Sequence, residues 1–232
     1  PAIYLASCKG GLESVKSYLA VDSRCYLALD KLYSLPVEVN TISTSVLRER
    51  SWGTGHDALC VAGVNFKSLS DLEISKMDAQ VVGLAAADIE LTDKYADLVK
   101  LSPLIWLGIS AQKRSWVNQE DALIEVIERI SNQYPGYALV IDGMTSNMFE
   151  SGTSVDFAAD QDVVNDLVGR LSGSPVVISL VGCSSLEKIF VSSKCDFFIS
   201  NYSTGSMYPA RFSGLPGLAH LSKAMMEVVE SM

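Results

Sequence analysis

The stretch "PLIWLGISAQKRSWVNQEDALIEVIERISNQYPGYALVID" (Pro103–Asp142) contains one complete strand–helix–strand cycle. "PLIWLGIS" (Pro103–Ser110) is a continuous apolar run that turns polar at its end, as expected of a strand buried on both faces. In "NQEDALIEVIERISNQY" (Asn118–Tyr134), Leu123, Ile124, Val126, Ile127 and Ile130 recur at helical spacing. Asn118 is placed to cap that helix, Glu120 and Asp121 favour its positive end, and Pro135-Gly136 stops it. "YALVID" (Tyr137–Asp142) is the next strand. Two strands separated by one helix are expected to be parallel.

The cycle repeats downstream. Helices are expected at Asp160–Leu171, Ser185–Ser193 and Gly205–Ser213. Strands are expected at Pro175–Gly182, Cys195–Ser200 and Gly217–Leu221, and "KAMMEVVESM" can close the domain as a helix. Such alternation predicts α/β, doubly wound parallel-sheet (Rossmann-like) architecture, with ligands beyond the carboxyl ends of the strands. Upstream the pattern is less regular. "AIYLAS", "CYLAL" (Cys25–Leu29), "DALCVAGV" (Asp57–Val64) and "QVVGLAAADI" (Gln80–Ile89) read as strands, and "GLESVKSYLAV" as a helix. The region Tyr33–His56 resists assignment. The expected organisation is a smaller α/β domain over 1–100 and a larger one over 101–232.

Composition narrows the function. A 48% hydrophobic fraction with 19% charge supports a sizeable core. The net charge of −9, without a Lys/Arg stripe, argues against nucleic acid, although a local pocket can still be positive. Five cysteines (Cys8, Cys25, Cys60, Cys183, Cys195) lack C-x-x-C spacing, and His56 and His220 lie far apart, so neither a disulfide framework nor a metal site is expected. No apolar run reaches membrane-spanning length and the start lacks the build of a signal peptide; the cysteine pattern argues for a reducing compartment, and a cytoplasmic setting is expected. The absent initiator Met suggests a processed chain or a module of a longer one.

Candidate site residues fall at the ends of expected strands. Ser110, Lys113 and Arg114 follow the first strand of the cycle. The two cations suit a diphosphate, Arg through paired hydrogen bonds, or they form a solvated basic loop. Tyr202, Ser203, Thr204, Gly205 and Ser206 stand where a later strand hands over to a helix. Free backbone N–H groups, a glycine and hydroxyls there fit an anion, and they equally fit a Ser/Thr helix cap. Asp142 can accept from ribose hydroxyls or form an Asp-Gly turn. Glu150 is a weaker acid of the same kind. Glu13 is a candidate general base, or simply an acid in a first helical turn. His56 with Asp57 forms a weaker acid–base pair. Trp52 and Trp116 can stack on a sugar or base, whereas Trp106 belongs in the core. No Walker loop, G-x-S-x-G, H-E-x-x-H or G-x-G-x-x-G occurs.

In order and spacing, "WLGISAQKRSW", "ALVIDG", "LVGCSSLEKIF" and "DFFISNYSTGSMYPARFSGLP" resemble the nucleotide-sugar-binding half of a GT-B glycosyltransferase. They are most similar to the lipopolysaccharide heptosyltransferase family, glycosyltransferase family 9. "IYLASCKGGLESV" looks like that family's first strand and loop. The family's acid before Thr-Gly is replaced by Tyr202 or Ser203, its His by Tyr208, and the N-terminal part is short for an acceptor domain. The resemblance implies a GT-B-like fold with a reduced N-terminal domain, and metal- and cofactor-independent transfer from a nucleotide-diphospho-sugar donor to a glycan or glycolipid hydroxyl. It implies Lys113, Arg114 and Ser203–Ser206 on the diphosphate, Asp142 on ribose, Tyr208 beside the donor, and Arg114 and Glu13 as the catalytic groups. It fits a peripheral-membrane or larger-protein setting. A non-catalytic nucleotide- or sugar-binding module of a larger polysaccharide-biosynthesis protein is the alternative, and a plain protein-interaction domain a third reading.

Overall fold

The structure, a computed structural model, describes residues 17–21, 26–27, 38–42, 70–111, 117–146, 157–173, 175–202 and 204–221. For 17–21, 38–42 and Thr204 it describes the backbone alone. The chain forms two compact units, Pro1–Ala87 with Asn147–Phe149, and Asp88–Ser146 with Glu150–Met232. The change of unit at Ala87/Asp88 precedes the boundary expected after residue 100.

In the first unit, β1 (Ser17–Val21) pairs in parallel with β2 (Glu38–Ile42), Ser17 opposite Glu38 and Val21 opposite Ile42. This corrects the helix expected across residues 17–21, because a distant partner strand supplies the backbone bonds that a helix would make locally. Tyr26 and Leu27 lie outside any strand, unlike the strand expected at Cys25–Leu29. The strand expected at Gln80–Ile89 is instead the end of α1 (Asp71–Ala86), a turn, and the start of α2 (Ile89–Lys94). A capping box sets the start of α1: the Glu73 N–H donates to Ser70 Oγ at 3.3 Å, and the Ser70 N–H donates to Glu73 Oε2 at 2.8 Å. Met77, Val81 and Ala85 then bury one helical face at four-residue spacing, and alanine favours the helix further.

The second unit carries an all-parallel five-stranded sheet. Its strands are β3 (Leu104–Gly108), β4 (Ala138–Asp142), β5 (Val176–Ser179), β6 (Phe197–Asn201) and β7 (Gly217–His220), in spatial order β5-β4-β3-β6-β7. The chain starts at the centre, steps outward twice, then returns to the other side of β3. This is the doubly wound order. α3 (Gln119–Gln133) and α4 (Ala158–Arg170) make the first two crossovers. α5 (Ser185–Ser192) and a helical turn (Thr204–Ser206) running into a π-helix (Met207–Phe212) make the last two.

Alternation along the strands separates two layers. Ile105, Leu107, Leu139 and Ile141 pack with Leu123 and Ile127 of α3 and with Val163, Val164 and Leu167 of α4. Each such fully buried aliphatic side chain contributes roughly 1.5–3 kcal/mol. The intervening residues serve the opposite face, where Trp106 meets the Tyr208 ring at 6.3 Å and Asp142 meets Lys188 of α5. Strands β3 and β4 are buried throughout, as their continuous apolar runs require.

Two helix starts depart from expectation. Asn118 occupies the N-cap of α3 but makes no side-chain cap bond; it adopts φ 58°, a left-handed turn that Asn tolerates. The helix expected over Gly205–Ser213 is largely π-helical, with the Ser213 N–H donating to Tyr208 O at 3.2 Å. Pro209 has no N–H to give an α-helical ladder, and the wider turn accommodates it.

Candidate functional site

The doubly wound order creates a switch point between β3 and β6. Their pairing runs from Ile105–Phe197 to Leu107–Ile199. Beyond it each strand follows its outer neighbour. Gly108 stays in register with Asp142, and the Ile109 N–H donates to Asp142 O at 2.7 Å. Asn201 stays in register with His220, and the Tyr202 N–H donates to His220 O at 2.9 Å. The ladder between the two strands therefore ends at the carboxyl edge of the sheet, where doubly wound sheets form their binding crevice.

Small residues pack closely between the two strand ends. A Cβ on Gly108 would overlap Ser200 Oγ, and Ser200 is fully buried. A Cβ on Gly205 would overlap Asn201 Oδ1 and stand 2.8 Å from Ser200 Oγ. Gly205 is thus required first by the Asn201 side chain, which fills the space where a ligand's close approach was expected. Ser110 begins the loop after β3. Its N–H donates to Gln119 Oε1 at 3.1 Å, and Gln119 Nε2 donates back to Ser110 O at 3.4 Å. Ser110, Tyr202, Gly205 and Ser206 thus share the ends of two adjacent strands, with Tyr202 exposed and Ser206 buried. Lys113, Arg114, Ser203, Glu13, Glu150, His56, Asp57, Trp52 and Trp116 lie outside the described residues.

Asp142 is not presented to the crevice. It is 3% exposed, and its Oδ1 lies 2.6 Å from Nζ of the fully buried Lys188. The two opposite charges attract each other strongly in this buried setting. Burial raises the Asp142 carboxyl above the usual carboxylate range; Lys188 pulls it down and the charge of Asp160 pushes it up. The acid expected to meet ribose is thus buried against a lysine in this conformation. Lys188 also donates to Gly143 O at 2.8 Å and Met144 O at 3.1 Å.

Tyr208 is likewise an internal residue. It is 5% exposed, and its hydroxyl lies 3.2 Å from Thr145 Oγ1 and 3.1 Å from Ser185 Oγ. Its hydroxyl is engaged by two internal side chains. A second polar cluster surrounds Glu187, which accepts from Lys94 Nζ at 2.5 Å and Tyr95 OH at 2.6 Å. Burial alone would raise the Glu187 carboxyl, but the hydrogen bonds from Lys94, Tyr95 and Cys183 outweigh it and leave it below the usual range. Burial and the Glu187 charge push the Cys183 thiol up to about 12, so it is no ready nucleophile.

Sequence reasoning missed Lys188, Asp160, Gln119, Thr145 and Ser185. One signal was present for Lys188: a lone cation in "SLEKIFVS", a short helix with almost every residue buried. Among the described residues, no cluster of three metal-ligating side chains occurs and no helix is long and apolar enough to cross a membrane. No protein-family model matches the chain, and no curated protein is detectably similar to it.

Proposed function

We propose that the second unit binds the diphosphate of a nucleotide-sugar in the β3/β6 crevice, and that the chain is a glycosyltransferase or a module of one. The observation that supports this reading is that β3 and β6 are neighbours at the switch point, so that the chain leading to Lys113 and Arg114 leaves one strand and the chain leading to Ser203–Ser206 leaves the adjacent one. Cations from the first loop and backbone N–H groups from the second would neutralise the diphosphate and stabilise the charge on the departing nucleoside diphosphate. A glycan or glycolipid hydroxyl would be the acceptor, with Glu13 as its base.

The burial of both Asp142 and Tyr208 favours a second reading, a module that binds a nucleotide or sugar without turning it over. Calorimetric titration with a panel of nucleoside diphosphates, followed by a transfer assay on whichever nucleotide binds, separates the two. Arg114→Ala is expected to weaken nucleoside diphosphate binding about tenfold or more. Binding without transfer to any acceptor supports the module, and no binding of any nucleotide sinks the first reading and the nucleotide-binding form of the second.

A further inference from the structure

We propose that Asp160 is the positioning residue of this crevice, one carboxylate that anchors two successive ligand-side loops; the inference rests on the nucleotide-binding reading above. Asp160 stands in the first turn of α4 and is 4% exposed. Oδ1 accepts the Ala111 N–H at 2.8 Å, from the loop after β3. Oδ2 accepts the Met144 N–H at 2.6 Å, from the loop after β4. An acid in a first helical turn ordinarily serves its own helix. Here both oxygens reach outward to backbone that is 49 and 16 residues away in sequence.

The surroundings are built for this approach. A Cβ on Gly143 would stand 2.7 Å from Asp160 Oδ2 and 3.0 Å from Val181 Cγ2, so glycine alone lets the loop come this close. Met144 O accepts from the Gly182 N–H at 2.8 Å and from Lys188. Thr145 then meets the Tyr208 hydroxyl, at the head of the π-helix that follows β6. A continuous run of polar contacts thus joins Ala111, two residues before Lys113, to the element behind Ser203–Ser206. Charge-assisted bonds to backbone N–H groups are about twice as strong as neutral ones. Losing them would release both loops from α4.

Asp160→Asn keeps the shape and leaves one good acceptor, while its amide hydrogens oppose the second N–H. Amide exchange at Ala111 and Met144 is expected to speed up at least tenfold, with Leu107 and Ile141 in the strands unchanged. Affinity for a nucleoside diphosphate is expected to fall about tenfold, and for the nucleoside monophosphate by less. Uniform acceleration of all amides, or wild-type affinity in the folded variant, overturns the inference alone. Absence of nucleotide binding by the wild-type protein overturns the reading of the crevice and this inference together. Should Asp160→Asn fail to fold, Asp160→Glu retains the charge but moves the oxygens by one methylene. An affinity loss with the fold intact supports the role, and wild-type affinity overturns it.

Discussion

Replacing Lys188 with methionine removes one charge from the buried pair with Asp142 and preserves most of the side-chain volume. Three contacts go with it: the 2.6 Å approach to Asp142, the 2.8 Å bond to Gly143 O and the 3.1 Å bond to Met144 O. Met144 O retains the Gly182 N–H, so the main cost is an uncompensated carboxylate in a site 3% exposed. Breaking a buried pair from one side costs roughly 3–5 kcal/mol, which for a domain of this size lowers Tm by roughly 6–20 °C. The loss is expected to depend on pH in a definite direction. Burial already raises the Asp142 carboxyl, and Lys188 is the group that lowers it. Without Lys188 the folded-state value rises further above the unfolded one. The folded variant then binds more protons than the unfolded chain, and its stability falls as pH rises through the shifted range. Urea unfolding at about pH 4.5 and pH 8 is therefore expected to show the smaller deficit in acid. Asp142→Leu combined with Lys188→Met removes both charges and should recover at least half of the loss. A single-variant cost below about 1 kcal/mol that is flat with pH, or a double variant as damaged as the single, would refute the buried-pair account.

Gly108→Ala is expected to cost roughly 1–3 kcal/mol, because the new methyl overlaps Ser200 Oγ and stands 2.7 Å from Ser200 Cβ; Ser200→Gly in the same chain should restore most of it in thermal unfolding. Glu187→Gln is expected to cost about 1 kcal/mol at neutral pH by weakening the bonds from Lys94 and Tyr95. Because the Glu187 carboxyl is held below its ordinary value, its contribution is present above the unfolded pKa and lost as pH falls through the folded one. Unfolding curves of wild type and Glu187→Gln should therefore converge in acid, and a constant gap would contradict the assignment.

The strands and helices of the second unit were legible because each carries its own local instruction. β3 and β4 are short apolar runs, and α3 repeats Leu123 and Ile127 on one face with an acidic first turn. Their alternation predicts parallel strands, and the sheet is all-parallel. The first unit was less legible because its elements depend on partners or caps outside the window being read. Residues 17–21 are a strand only through pairing with residues 38–42. Residues 80–86 are helical because the helix begins at a capping box ten residues upstream.

The site divides in the same way. Strand ends can be read locally, so the residues alone place hydroxyls, glycines and cations after two strands. Long-range packing makes those strands neighbours, because strand order depends on which side of β3 the chain returns to after β5. It also decided that Asp142 faces inward. Period-2 alternation turns that carboxylate to the α5 face, where a lysine 46 residues later neutralises it. A buried charge is stable only beside its counter-charge, and that meeting is made by packing.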